Sequence, residues 1–492
     1  MSIKLAGLAS NMDTDTIVQQ LMSAHSLKKT KLENKITKLE WKQEKWKDLN
    51  TKIYSLYTGS LSKMRMQGSY TTKKVSSTNE SAVTATATSS ATNGSHQISV
   101  TQLASAQYTT GSAINSSDKL STSTKLTDLG IAEGTTLKVI GKNGKEVSLT
   151  VNPTDAEGNK TESTINDFLT ACKSAELNAS FDATQKRFFI SSKDSGANNS
   201  FKITSPDTGA LDKLGLGSTA DVQPAADAKF TLDGAEMTST SNKATVNGIS
   251  LTFTGTTSSP VTLSVSNDVD AVYDMVKSFV SDYNDVLSAL NDAYYAGSAR
   301  GYDPLTDDEK EAMTESEIEK WETKIKDSLL RRDDKLGSLL SAMKTTMSAG
   351  VKIDGTTYSL ASYGISSALY TEQGKLHIDG DPEDSLVSDQ TDKLRAALEK
   401  DPDTVIKVLS NACSNLYTTM QEKMKTSTLS SALTFYNDKE MATTLTKYKK
   451  ELSGLEDKLK DIEDRYYAQF TAMETAMATL NSQTSALSSM LG

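Results

Sequence analysis

Six apolar residues recur at every seventh position near the end of this chain: Leu452, Leu459, Tyr466, Met473, Leu480 and Leu487. A repeat of seven holds one apolar row along a helix and constrains that stretch to a coiled-coil-like seam. A second row starts at Leu455 and Ile462 and drifts by one position to Phe470, Met477 and Leu491. A straight helix of about 3.6 residues per turn drifts in this way against a 3.5 repeat. One amphipathic helix is therefore expected from about 440 to 490. Residues 477–492 carry no charged side chain. Such an end is expected to pack into an assembly, or to stay disordered until it does.

The beginning of the chain mirrors the end. Asp13 has the chemistry of an N-cap, and Asp15 suits the positive end of a helix dipole. Ile17, Leu21 and Ala24 follow at helical spacing. Leu32, Ile36, Leu39, Trp46, Leu49, Ile53 and Leu56 continue in a heptad-like row. No proline interrupts the chain before Pro153, so a long helix is permitted. Residues 28–74 hold 13 basic and 4 acidic side chains. Two readings stand: a solvated helix face, or a basic surface that meets an acidic partner or neighbouring subunit. The two terminal helices are natural partners, and their pairing would close a stem.

Between them the pattern changes. Residues 71–95 contain 13 Ser or Thr, and Val83, Ala85 and Ala87 alternate with threonine as in a strand. His96–Val100 extends this after the turn signal Asn93-Gly94. Leu137 and Val139 before Asn143-Gly144, then Val147, Leu149 and Val151, suggest a hairpin. Ile165, Phe168, Leu169 and Cys172 suit a short helix capped by Thr164 or Ser163. Strands are expected at 188–190, 201–203, 230–232, 249–253 and 261–265. Helix returns near 269, where Val272, Met275, Val276, Phe279, Val280, Tyr283, Val286, Leu287 and Leu290 form one stripe. A break at Gly301 and Pro304 is followed by a capping-box pattern, Thr306-x-x-Glu309. Ile318, Trp321, Ile325 and Leu329 carry the seam on. A non-helical insert spans Gly350 to Gly380, and Asp401-Pro402 starts another helix. The fold class expected is α+β and multidomain: a stem of terminal helices with β-rich domains inserted between them.

Composition narrows the chemistry. A chain of 492 residues is too long for one ordinary core. Its hydrophobic fraction is 36% and its aromatic fraction 6%, which favours an elongated molecule. Three distant histidines and two cysteines exclude a His-rich metal cluster, a CxxC motif and a disulfide scaffold. Cys172 and Cys413 are read as separate thiols, with a single bridge as the alternative. A net charge of −10 argues against a general nucleic-acid binder. No apolar run of 18 residues exists, so membrane insertion is not expected. The N-terminus has no apolar leader core, which implies retention in the cytoplasm or exit by a route without a cleaved leader. Phosphate-loop and nucleophile-elbow motifs are lacking, and Gly215-Leu-Gly217 stands alone. The acidic run Asp307, Asp308, Glu309, Glu311, Glu315, Glu317 and Glu319 reads as a solvated helix face. Asp333-Asp334 behind Arg331-Arg332 reads as local ion pairing, and Asp379-Gly-Asp381 as a turn. No catalytic set, metal or cofactor follows from these residues.

Several segments in order resemble the flagellar filament cap family, hook-associated protein 2 (FliD). Gly7-Leu8-Ala9-Ser10-Asn11-Met12-Asp13 is similar to its opening G-[LI]-x-S-G-x-D, with Asn11 in the usual glycine slot. Asn is the next-best residue for a left-handed backbone there. Ile17 to Met22 and the Trp-containing helix before Leu49-Asn50 fit as well. Phe230-Thr-Leu-Asp-Gly234 with Ser241-Asn242 resembles its F-x-x-D-G…S-N segment, and Val280-Ser-Asp-Tyr283-Asn284 its F-V-x-x-Y-N helix. Gly364-Ile365 with Gly374–Asp379 precedes Asp401-Pro402-Asp403-Thr404-Val405, which resembles D-P-x-x-V. Arg465–Phe470 resembles a terminal Y-R-x-Q-F motif, with Tyr467 in the usual Arg slot. The likeness covers roughly 1–70 and 225–492.

The resemblance implies a structural protein, not an enzyme, at the distal tip of the bacterial flagellum, outside the cell. It would promote folding and insertion of exported flagellin and prevent its loss, and so serve motility. It implies self-association into a homo-oligomeric ring of about five copies, uncleaved export, and a cytoplasmic flagellar export chaperone on the C-terminal helix. The division expected is terminal arms at 1–40 and 455–492, a stem at 41–74 and 269–454, a β-rich head at 75–118 and 225–268, and a variable insert at 119–224. Host-surface binding, and so cell adhesion, is open for that insert. Ile17, Leu21, Tyr466, Phe470, Met473, Met477, Leu480, Leu487 and Leu491 are the expected contacts with flagellin, chaperone or neighbouring subunit. Two alternatives remain: another exported coiled-coil surface protein, such as a needle-tip, adhesin or flagellin-like subunit, and an enzyme with a shallow site in the β insert.

Overall fold

The computed structural model describes residues 12–116, 119–367 and 369–491. The turn expected at Asn11 lies outside them. The fold is multidomain α+β. The chain divides into two compact units, Met1–Tyr70 with Val269–Gly492, and Thr71–Asp268.

The first unit is helical. Asp13 caps its first helix, Thr14–Thr58, by accepting hydrogen bonds from the Thr16 amide (3.1 Å) and hydroxyl (2.5 Å). The hydroxyl bond is the larger cause, with the amide, of an Asp13 carboxyl held below its usual range. The helix stops at Gly59, where an added Cβ would lie 2.6 Å from the Ser55 carbonyl oxygen. A short helix, Ser60–Met64, and a turn at Gln67–Tyr70 follow. The stripe read near 269 is the buried face of helix Val269–Tyr294, with Met275 half-covered. It shares one core with Trp46, Leu49, Ile53 and Leu56 of the first helix and with helices Asp334–Ser348 and Pro402–Lys423. Asp401 caps the last of these from the Thr404 amide, with Pro402 in the first turn.

The helical unit refines the sequence reading at four points. The helix expected to reach Leu329 ends at Ser328, and Leu330 is the buried residue. A second capping box, Thr314 with Glu317, starts that helix and was not read from the sequence. Asp333 is not a local partner of the arginines. Its carboxylate caps helix Asp334–Ser348 and accepts a hydrogen bond from Lys42 at 2.9 Å. Asp379 and Asp381, read as a turn, pair with Lys393 (2.9 Å) and Lys277 (2.7 Å).

The second unit holds two cores. In one, an antiparallel five-stranded sheet orders Lys73–Ser77, Val261–Asn267, Gly94–Gln102, Ala228–Leu232 and Ala235–Ser239. A three-stranded sheet orders Lys243–Val246, Ile249–Phe253 and Val83–Ala87. Alternate residues of both sheets (Ile98, Val100, Phe230, Leu251, Phe253 and Leu263) share one interior. The Phe230 and Phe253 rings lie 4.8 Å apart.

The other core belongs to residues between Tyr108 and Gln223. Two small antiparallel sheets and helix Ile165–Ser174 bury Leu137, Val139, Phe168, Cys172, Phe188 and Ile190. Thr164 caps that helix, in a box with Asp167. The hairpin Thr136–Ile140 to Glu146–Thr150 turns through Asn143 and Gly144, both at positive φ (56° and 75°). Cys172 and Cys413 are both buried free thiols; burial pushes the Cys172 thiol up to about 12.

Candidate interaction surface of the paired terminal helices

The last helix, Asp438–Leu491, is 54 residues long, about 81 Å at 1.5 Å per residue. It runs antiparallel to Thr14–Thr58, because partner numbers fall on one helix as they rise on the other. Trp46 stacks on Tyr436 with ring centroids 5.4 Å apart. Asn50 fixes the turn before the helix, donating to the Leu433 carbonyl and accepting from the Phe435 amide. Glu40 pairs with Lys449 at 2.7 Å, and Lys29 with Glu456 at 3.4 Å. His25 meets Tyr466, with Nε2 and the phenol oxygen 3.3 Å apart.

Burial opposes the charge on Lys29, but the carboxylates of Glu33 and Glu456 outweigh it, and its ammonium is raised above the usual lysine value. The basic helix also finds partners inside its own chain. Lys38 pairs with Asp303 at 2.6 Å, Lys42 with Asp333 at 2.9 Å and Lys45 with Asp327 at 2.8 Å. Part of the basic surface that the sequence left open is thus answered intramolecularly.

The expected contact residues fall into two groups. Ile17, Tyr466, Phe470, Met473 and Met477 are half-buried, and Val18 beside Ile17 is buried. Leu21 is 40% exposed, and Leu480 and Leu487 are 61% and 62% exposed. The Leu491 side chain lies outside the described residues. Only Tyr466 among them is brought into a polar contact across the helix pair, with His25. Carrying the antiparallel register on from that contact places Thr14 opposite about residue 477. Leu480 and Leu487 lie past that point, so the seam continues where no described part of the first helix faces it.

His25, Lys29, Glu456 and Tyr436 were not singled out from sequence as contacts, and Asn50 was read only as the end of the Trp-containing helix motif. Only the antiparallel register links them, and no local spacing encodes it. Among the described residues no group of three or more His, Cys, Asp or Glu is placed to hold a metal ion. Among them, too, no helix is long and apolar enough to cross a membrane.

Comparison with known proteins agrees with this anatomy. Residues 10–107 match the sequence model of the flagellar hook-associated protein 2 N-terminus, and residues 225–482 that of its C-terminus. The unmatched stretch between them corresponds to the separate core of residues 108–223. Flagellar hook-associated protein 2 of Halalkalibacterium halodurans is 29% identical over 99% of each chain. That of Escherichia coli is 23% identical over 99% of this chain and 97% of its own. The crystal structure of the D1-D2-D3 domains of the Escherichia coli flagellar cap protein FliD superposes with a TM-score of 0.51 at 19% identity. It covers 76% of this chain and 95% of that one, and so shares the fold. With one family model on the N-terminal helix and first strands, and the other running from the sandwich into the last helix, this chain belongs to the flagellar hook-associated protein 2 family.

Proposed function

We propose that this chain caps the distal end of the bacterial flagellar filament, promotes folding and insertion of exported flagellin subunits there, and prevents their loss. One observation carries the mechanism: the last helix keeps its heptad row past the described part of its intramolecular partner, with Leu480 and Leu487 some 60% exposed on an uncharged tail. Apolar rows of this kind gain roughly 25 cal/mol per Å² when another surface covers them. Flagellin, a neighbouring copy and, before export, a cytoplasmic chaperone are the occupants in turn.

The terminal arms, 1–40 and 455–492, engage the filament end. The stem, 41–74 with 269–454, carries the two β-rich regions that form the plate, 75–118 with 225–268 and the insert 119–224. About five copies close a ring. The chain acts structurally, outside the cell, without a cofactor. The reading as a flagellin-like or needle-tip subunit predicts long filaments from the pure protein. The cap reading predicts a small closed particle. Mass measurement and electron microscopy of the assembled protein separate the two, and unlimited polymerisation would overturn the cap.

A further inference from the structure

The two flanks of the terminal helix pair carry opposite charge. On one flank Lys28, Lys31 and Lys35 border a groove with Lys458 and one carboxylate, Glu451, over a floor of Leu32 and Leu455, so the lining carries a net charge of about +3. Gly454 lies in that groove, and a Cβ built there meets nothing within 4 Å. All four lysines are exposed, and none has an ion pair within the chain among the described residues. Their spacing puts Lys28, Lys31 and Lys35 within about 60° of one another around the helix, at roughly 100° per residue.

Lys29, Glu33, Ile36 and Thr37 lie on the other flank, roughly 150° away by the same count. There the same helix borders Pro304, Leu305 and the start of the acidic run, Asp307 and Asp308. Within that run Glu309 and Glu317 are spent on capping Thr306 and Thr314. Asp307, Asp308, Glu311, Glu315 and Glu319 are exposed and have no ion pair among the described residues. Four ammonium groups beside the single carboxylate of Glu451 thus stand on one side of the stem, and five carboxylates without an ion pair among the described residues on the other.

A patch and its complement on different faces of one subunit define a heterologous contact, which closes into a ring when the rotation allows. We propose that the occupant of the lysine groove is a second copy of this chain, which presents the carboxylates of Asp307–Glu319. The inference rests on the ring-forming reading above and specifies its side-to-side contact. Chains of net charge −10 repel at long range. A local basic groove is what gives their approach a fixed register and orientation. Because both surfaces are solvated, the contact weakens as salt shortens the Debye length.

The test uses the full-length chain as wild type, as K31E/K35E, as E311K/E319K, and as all four substitutions together. Assembly is followed by analytical ultracentrifugation at low and high salt, with circular dichroism recording helix content. Each double variant should weaken assembly by about tenfold or more. The quadruple variant should regain it, which a folding defect would not allow. Mixing the two double variants should restore association in alternating pairs, since each then supplies the sign the other lacks, while an odd-numbered ring built from them would keep one like-charged contact. Wild-type-like assembly of both double variants, or loss without recovery in the quadruple variant, overturns the inference and leaves the ring reading in place. A wild-type chain that stays monomeric overturns both.

Discussion

Lys42 donates to Asp333 at 2.9 Å across 291 positions of sequence, and the same carboxylate caps the helix Asp334–Ser348 through the amides of Lys335 and Leu336. The pair is partly sheltered, with side chains 33% and 16% exposed. Asp333→Ala removes both roles and should cost about 1–2 kcal/mol, mostly from the cap. Asp333→Asn keeps an accepting oxygen for the amides and loses the ion pair, so it should cost no more than about 1 kcal/mol. Urea midpoints of the helical unit check the order, and equal losses would assign the whole effect to the ion pair.

Two buried tyrosines of the helical core make opposite forecasts. The Tyr70 hydroxyl donates to the Met64 carbonyl at 2.6 Å. The Tyr283 hydroxyl is buried with no hydrogen-bond partner. Burial pushes both phenols well above the usual tyrosine range. Tyr70→Phe removes a hydrogen bond to a buried carbonyl and should cost roughly 1–3 kcal/mol. Tyr283→Phe removes an unpaid desolvation and should be neutral or stabilising by the same thermal or urea measurement.

Local rules made much of this molecule legible. Asp13, Thr164, Thr306 and Asp401 cap helices where their spacing indicates, because a cap needs only three or four neighbouring residues. Alternation found the strands around Val83, Phe230 and Ile249 for the same reason. Their order was not legible: strand Lys73–Ser77 pairs with Val261–Asn267 across almost the whole β unit. Of the interaction surface, the heptad row from Leu452 to Leu487 was readable. Which of its residues face the described first helix was not, since that depends on the register set by Trp46, Asn50 and His25 against residues some 400 positions away.

Acid should loosen helix starts before cores. The Thr404 side chain and amide hold the Asp401 carboxyl below its usual value of 3.8. A depressed folded pKa means its contribution is present above the unfolded value and is lost as pH falls through the folded one. Amide exchange at the first turn of Pro402–Lys423 should therefore quicken below about pH 4. Asp401→Asn should flatten that acid limb while leaving exchange at neutral pH nearly unchanged. A limb that persists in the variant would place the titration elsewhere.

Gly141 tests the insert core by itself. A Cβ there would lie 2.0 Å from the Ala175 carbonyl oxygen, a backbone atom that cannot rotate away. Gly141→Ala should destabilise that core by about 1–3 kcal/mol. Proteolysis or amide exchange of residues 108–223 should report it, with the helical unit unfolding as before. A wild-type insert would mean that the strand ending at Ile140 shifts freely.

Leu480 and Leu487 separate folding from assembly. Both are exposed along the last helix, so replacing them removes little that is buried within the chain. Leu480→Asp with Leu487→Asp should change stability by no more than about 0.5 kcal/mol, the range for surface sites. That range includes the small loss expected from negative charge near a helix C-terminus. Met473 and Phe470, half-buried on the same face, should behave differently: Phe470→Asp should lower the melting temperature of the helical unit. If the exposed end of the row is what flagellin, chaperone and neighbouring copies cover, the double aspartate variant keeps its melting temperature and loses capping. Removal of residues 470–492 should likewise leave the β unit folded and stop filament growth. Normal growth with the double variant would make Leu480 and Leu487 inert, and the capping contact would have to lie on the half-buried stretch between Tyr466 and Met477.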